Sequence, residues 1–523
     1  MTNYQTIARP AEDGSDNMAR SRRRNAKDGG GGEATIKSSI INLLNTIVGA
    51  GTLAMPAAMS HMGIMLGVFV IVWSGFMSAF GLYLQSRCAR YLDRGKSSFF
   101  ALSQLTYPNA AIVFDAAIAI KCFGVGVSYI IIIGDLMPGV ILGFNSDLQS
   151  VDYLMDRKFW ITVFMLAIIP LSFLKRLDSL KYTSVIALLS IGYLVILVVY
   201  HFSADTLAPA GDIRVVGWES PVAMLSALPV VVFAYTCHQN MFSILNELHD
   251  NSPSTVGTVI GSSIGSAASI YILVAITGYM TFGNSVVGNI ISMYTPNIAS
   301  TIGKAAIVVL VTFSIPLQMH PCRASIDAVL KWRPNSANSR SQARPGGALA
   351  AAGSRPLLNP AAVPAPASDH PETAMSEIRF ALITTTLLVM SYITAIKVSS
   401  LDRVLAYVGS TGSTSISFIL PGLFYYKISD PDSIHHQRLA KEDDDMDGHF
   451  EDEDDEDDDY GYGDVEGAGV GQRLAMWRRR FRIDLDHVDA GVLRKMALGF
   501  TCYGVLVMVV SLSMNIFMGI GGH

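Results

Sequence analysis

The sequence is poor in the features that mark enzymes and secreted domains. Only 15% of its 523 residues are charged, and its five cysteines stand singly, with no Cys-x-x-Cys pair. Cys88, Cys122, Cys237, Cys322 and Cys502 all fall within or at the ends of apolar stretches, which argues against a disulfide framework. There is no Asn-x-Ser/Thr acceptor, so glycosylation marks no segment as external. The first residues are polar and basic with no apolar core. No cleaved signal peptide is therefore expected, and the first span should direct membrane entry itself. Nothing resembles a phosphate-binding loop, a zinc-ligand set or a nucleophile with its base. ATP-driven transport, enzymatic activity, cofactors and a nucleic-acid partner accordingly have no support.

What the chain has in quantity is hydrophobic residues, 50% of the total. That points to an all-α polytopic membrane protein in a lipid bilayer rather than a large soluble core. Apolar stretches at about 35–58, 64–86, 111–143, 159–174, 183–202, 220–247, 255–282, 301–322, 378–398, 404–426 and 491–518 predict eleven transmembrane helices. The expected domains are a disordered tail (1–34), spans one to eight (35–330), a Pro/Ala/Ser-rich disordered linker (331–375), spans nine and ten (376–427), an acidic loop (428–490) and span eleven (491–523). With the N-terminus in the cytosol, most of the 38 Lys and Arg fall on the cytosolic side, as the positive-inside rule asks, and the C-terminus lies on the other side.

The stretch at 35–58, TIKSSIINLLNTIVGAGTLAMPAA, is the most informative. It reads as two helical pieces, 36–48 and 52–58, separated by Gly49-Ala50-Gly51, with Ser60 to Gly63 turning into the next span. An unpaired backbone group in hydrocarbon costs several kcal/mol, so such a break persists only where it faces protein, water or a ligand. Span six repeats the pattern: Pro229 kinks it, and Ala234-Tyr235-Thr236-Cys237-His238-Gln239-Asn240 is too polar for a lipid-facing helix. Broken helices five spans apart predict inverted repeats of five spans each, with a solute held at mid-membrane. Half-helix N-termini suit a carboxylate, and exposed carbonyls suit an α-ammonium or a coupling cation, so the solute expected is an amino acid.

The segments INLLNTIVGAGTLAMPAAM, YTCHQNMFSILNEL, VTFSIPLQMHPCR and GSTGSTSISFILPGLFYY resemble the amino acid/auxin permease family, most of all its fungal vacuolar amino acid transporters. These are similar to the animal system A/N sodium-coupled neutral amino acid transporters. The resemblance implies a leucine-transporter-like five-plus-five inverted repeat with an eleventh helix, and secondary active transport by alternating access. It implies substrate-binding residues Thr46, Gly49, Ala50, Gly51 and Thr52 in span one and Tyr235, Thr236 and His238 in span six. It also places ion coupling at Asn45 and Thr312, with Ser314 close by; His238, beside the break and with an ordinary pKa close to the working pH, reads separately as a proton carrier or as a buried histidine satisfied by hydrogen bonds. Asn45 and Thr312 correspond to a sodium site in sodium-coupled relatives, whereas the vacuolar branch implies protons. Export from a vacuole or lysosome to the cytosol is the expectation; a sodium-coupled plasma-membrane importer, or an amino acid sensor with little flux, are the alternatives.

Other ionisable residues have plainer readings. Lys121 and Asp135 lie on one face of span three, each expected to pair with a polar group of a neighbouring helix. Asp115 reads as interfacial, and Glu247 and His249 as the solvated end of span six. The acidic run 442–459 reads as a solvated tail that offers a site for a regulatory partner, and Arg478, Arg479, Arg480 and Arg482 as a topology-setting patch on anionic lipid.

Overall fold

The structure, a computed structural model, describes residues 32, 34–92, 95, 97–174, 181–203, 212–331, 376–433, 436–437 and 490–521. Most of the tail, Lys175-Arg176, the linker from residue 332 onward, the acidic run and the Arg478 to Arg482 patch lie outside the described residues.

The described chain is almost entirely helical. Its main helices are α1 (Ile36–Ile47), α2 (Ala50–Met62), α3 (Ile64–Ala89), α4 (Phe99–Thr106), α5 (Ala111–Phe144), α6 (Arg157–Ser172), α7 (Lys181–Ser203), α8 (Pro221–Ala234), α9 (His238–Glu247), α10 (Pro253–Phe282), α11 (Ile298–Lys331), α12 (Glu377–Lys397), α13 (Leu401–Val408), α14 (Leu420–Ile428) and α15 (Ala490–Gly521). Their starts follow from local chemistry. Ser220 and Ser252 each accept a bond from the backbone N–H three residues on, and Pro221 and Pro253 then occupy the first helical position, where a missing N–H costs nothing. Thr35, Ser98, Ser376 and Ser400 cap α1, α4, α12 and α13 in the same way.

Among the described residues, seven helices are long and apolar enough to cross a membrane, and the bent pair α1–α2 makes an eighth span. The other three expected spans are helical too, but shorter or interrupted: α6 has 16 residues, α7 is apolar over Ala187–Ser203, and α13 and α14 are separated by π-helical turns at Gly409–Ser413 and Ser415–Ile419. Span ten is thus interrupted where an unbroken helix was expected. The run of small hydroxylated residues from Ser410 to Ser417 explains it: the Thr414 hydroxyl donates to the carbonyl of Gly409, five residues back, in the π register.

The helices are turned inside out relative to a soluble bundle. On α3, Met65, Phe69, Val72 and Phe76 recur at helical spacing and are exposed, while Gly67, Ser74, Gly75, Ser78, Gly81 and Gln85 face inward. Small residues inside allow close helix approach, and the apolar outer face suits lipid. The two 34-residue helices α5 and α11 pack along one another at the centre.

Two expectations about the first span need correction. The break falls at Val48-Gly49, and Ala50 and Gly51 already belong to α2. The Ser60 to Gly63 turn shrinks to Gly63 alone, because α2 runs on through Met62. Gly63 has φ +76°, and a Cβ there would lie 2.4 Å from the Gly217 carbonyl oxygen, so only glycine fits this junction.

Candidate functional site

The two breaks meet. α1 and α2 are bent by 54°, and between α8 and α9 the chain unwinds over Tyr235 to Cys237. Tyr271 of α10 staples them together, its hydroxyl lying 2.7 Å from the Ile47 carbonyl oxygen and 2.8 Å from that of Ala234. Carbonyls freed at the two half-helix C-termini thus share the one hydroxyl proton of a fully buried tyrosine. Gly51 makes the contact close: a Cβ on it would lie 2.6 Å from the Ala234 Cβ.

Beside this junction lies a cavity of about 660 Å³. Its deep wall comprises Asn45 to Gly51 of the first break, Phe233, Ala234 and Thr236 of the second, Ile118, Lys121, Val125 and Tyr129 of α5, and Ile307, Val311 and Ser314 of α11. Towards one end of the bundle the lining continues through Asn42, Ser98, Asn240, Ser243 and Glu247. Asn42, Asn240, Ser243 and Glu247 are exposed, so the cavity opens at this end, where Ala34 bonds to the backbone of Glu247 and His249. The opposite end is closed. There residues 212–219 lie across the α2–α3 junction, with Ile64 and Met65 donating to the carbonyls of Arg214 and Val215, and Glu219 donating to that of His61. The Glu219 carboxylate also meets His61 Nδ1, and the Arg214 guanidinium donates to Asn284 Oδ1 at 2.7 Å.

The residues singled out in the sequence divide into two sets. Asn45, Thr46, Gly49, Ala50, Gly51, Thr236 and Ser314 line the cavity. The Thr46 hydroxyl accepts from Asn240 Nδ2 at 2.9 Å, linking the two broken spans, and Asn45 Oδ1 is buried without a donor among the described residues. Thr52, Tyr235, His238 and Thr312 are buried but absent from the lining. The Tyr235 ring packs edge-on to Tyr271, with centroids 5.1 Å apart. His238 turns towards α3, its Nε2 3.2 Å from the Ser78 carbonyl oxygen. Thr312 returns its hydroxyl to its own helix, at the Val308 carbonyl.

Asp135 pairs with a neighbouring helix as expected, at 2.8 Å from Arg157 Nε. Lys121 does not: it is 4% exposed, lines the cavity, and has no hydrogen-bond or ion-pair partner among the described residues. Gln239 and Asn240, in the first turn of α9, also line the cavity; in the sequence they stand out only as members of the polar run 234–240. Their signal was their position just after the break, where successive side chains of a new half-helix first face the opening.

A multi-pass helical bundle, broken at two helices that share one cavity open at one end, is the build of a membrane protein that handles a solute at mid-bundle. The chain belongs to the transmembrane amino acid transporter protein family, whose profile matches residues 32–444. It is 46% identical over 402 residues to vacuolar amino acid transporter 5 of Schizosaccharomyces pombe, covering 76% of this chain and 86% of that protein. With vacuolar amino acid transporter 6 of Saccharomyces cerevisiae it shares 44% identity over 412 residues, 76% of this chain and 90% of that one. With sodium-coupled neutral amino acid symporter 2 of Danio rerio it shares 25% over 433 residues, 77% of each chain. These relatives are transporters, not enzymes.

Proposed function

We propose that this chain is a secondary active amino acid carrier of a vacuolar-type membrane, working by alternating access and coupled to protons. Flow runs from the vacuolar lumen to the cytosol. The chain crosses the membrane eleven times, as two inverted five-span repeats and a last helix, with the N-terminus cytosolic and the C-terminus luminal. The observation that carries this reading is the single cavity that reaches both helix breaks, open at the end bearing Asn42 and Glu247 and closed at the end bearing His61 and Glu219. A carrier needs its site reachable from one side at a time. With the N-terminus in the cytosol, this is the cytosol-facing form. The N–H groups opening α2 are offered to the substrate carboxylate, and Asn45, Thr46, Thr236, Gln239 and Asn240 are the polar groups within reach of its remainder.

Sodium coupling is the second reading. Asn45 Oδ1 lacks a donor, and both Asn45 and Ser314 line the cavity; a sodium ion held there would draw on these oxygens and on carbonyls of the break. Against it, Thr312 does not line the cavity. Uptake of a radiolabelled amino acid mixture into proteoliposomes, under a proton gradient and separately under a sodium gradient, decides between them. Accumulation driven by protons alone is the expected result, accumulation that needs sodium favours the second reading, and no flux with either ion overturns both.

A further inference from the structure

We propose that Lys121 is the group that binds and releases the coupling proton; the assignment rests on the proton-coupled reading above and gives it a site. Four titratable side chains line the cavity: Asp115, Lys121, Tyr129 and Glu247. Glu247 stands exposed at the mouth, and Asp115 is about 9 Å nearer the open end along α5. Only Lys121 is both more than nine-tenths buried and beside the breaks. Gly412, within the π-helical stretch of span ten, packs on its backbone, and the same stretch reaches the second break, where the Ser417 hydroxyl donates to Thr236 Oγ1 at 3.4 Å. π-turns of this kind are frequent at working sites in helices.

The surroundings leave the ammonium without a counter-charge. Next to it in sequence is Cys122. The second break brings Cys237 and His238 near it, and α11 carries Cys322 and Arg323 on its packed side, with His320 exposed. The stretch 409–419 contributes only Gly, Ser, Thr, Ile and Phe. No carboxylate is within ion-pair distance of Lys121 among the described residues. A lone ammonium is costly when the site closes empty, and less so when a substrate carboxylate shares the closed cavity with it. Lysine, unlike arginine, relieves that cost by giving up its proton. The cycle then balances without any other ion. On the acidic side the Nζ lone pair takes a proton from hydronium, leaving water. Open to the cytosol, Nζ–H⁺ returns it to water in the cavity, one proton carried per cycle. His238, the other candidate, has no contact with that water because it faces α3.

The test uses full-length protein in proteoliposomes, with a radiolabelled amino acid mixture as probe, comparing wild type with Lys121→Met, Lys121→Arg and Lys121→His. Two quantities are read: accumulation under an imposed proton gradient, and exchange of external label for internal unlabelled mixture, which needs no gradient. Met and Arg are expected to lose at least tenfold in accumulation while exchange continues at a reduced rate. His is expected to regain part of the accumulation with a pH profile displaced to the acid side. Accumulation by Lys121→Met at the wild-type level overturns the assignment, as does a His profile that superimposes on wild type. Loss of exchange in all three variants also overturns it, because Lys121 is then required for substrate passage rather than for coupling. Wild-type protein that exchanges but never accumulates under a proton gradient defeats the proton-coupled reading itself, a result distinct from these.

Discussion

Gly51 sits where α2 crosses the end of α8, and the geometry there sets the cost of any side chain. A Cβ would stand 2.6 Å from the Ala234 Cβ and 2.8 Å from its Cα, contacts that no real Cβ makes. Gly51→Leu therefore prises the two broken spans apart rather than merely filling the space between them. It is expected to lower stability by about 1–3 kcal/mol and to abolish exchange. Gly49, one turn-edge away, faces the cavity, where its Cβ would meet only the Tyr129 hydroxyl at 3.8 Å. Gly49→Ala is expected to keep its melting temperature and to raise KM through the methyl placed in the cavity. Thermal unfolding and exchange assays on both variants check this pair, and equal loss in both would discredit the contact argument. Asp250, in the link between α9 and α10, offers a pH test outside the membrane. The Thr255 hydroxyl, the Ser252 N–H and the Ser252 hydroxyl donate to its carboxylate and hold it below the usual carboxylate range. A depressed folded-state value means its contribution is present above the ordinary carboxylate value of about 3.9 and fades as pH falls through the folded one. Asp250→Asn should thus lower the melting temperature at pH 7, where the carboxylate's contribution is fully present, and flatten the acid limb of the profile below about pH 4.

Between elements, polar bonds tie the helices together at positions the apolar face cannot specify. Arg157, at the start of α6, bonds Asp135 of α5 and reaches the carbonyls of Ala395 and Val398 at the end of α12. Three helices meet through one guanidinium. Both partners are about one-fifth exposed, so the pair is only partly desolvated. Removing Asp135 strands the Arg157 charge; removing Arg157 strands the carboxylate and also leaves two carbonyls without their donor. Asp135→Ala is expected to destabilise by roughly 1–3 kcal/mol, with Asp135→Ala/Arg157→Met recovering part of the loss. Melting curves of the two single variants and the double variant form the cycle; strict additivity would deny the coupling.

For the whole molecule, an opening at one end and a seal at the other are, on the proposed alternating-access reading, one state of the carrier. The seal is built from backbone bonds between residues 212–219 and the α2–α3 junction, which a rigid-body movement of the broken spans can break and remake. The family match ends at residue 444, so most of the acidic run 442–459 lies beyond it. Deleting 442–459 is expected to leave exchange within twofold of wild type; loss of exchange would make that run part of the transport machinery.

Much of this was legible in the residues themselves. The two breaks announce themselves through glycines and polar side chains in otherwise apolar runs, because hydrocarbon forbids unpaired backbone and polar groups without a purpose. The Ser-Pro starts of α8 and α10 and the serine and threonine caps are local chemistry, readable without knowing any neighbour. What lay beyond reach was direction. Tyr235 and Thr236 lie in the unwound turn and His238 opens α9 just beyond it, yet only Thr236 faces the cavity, while Tyr235 meets Tyr271 and His238 meets α3. Lys121 and Asp135 share a helix face, but Arg157 is beside only one of them. A helix's apolar pattern in a membrane separates lipid from protein; it does not separate one protein neighbour from another, or from a water-filled cavity. That choice depends on which helices pack against which, and only the tertiary structure makes it.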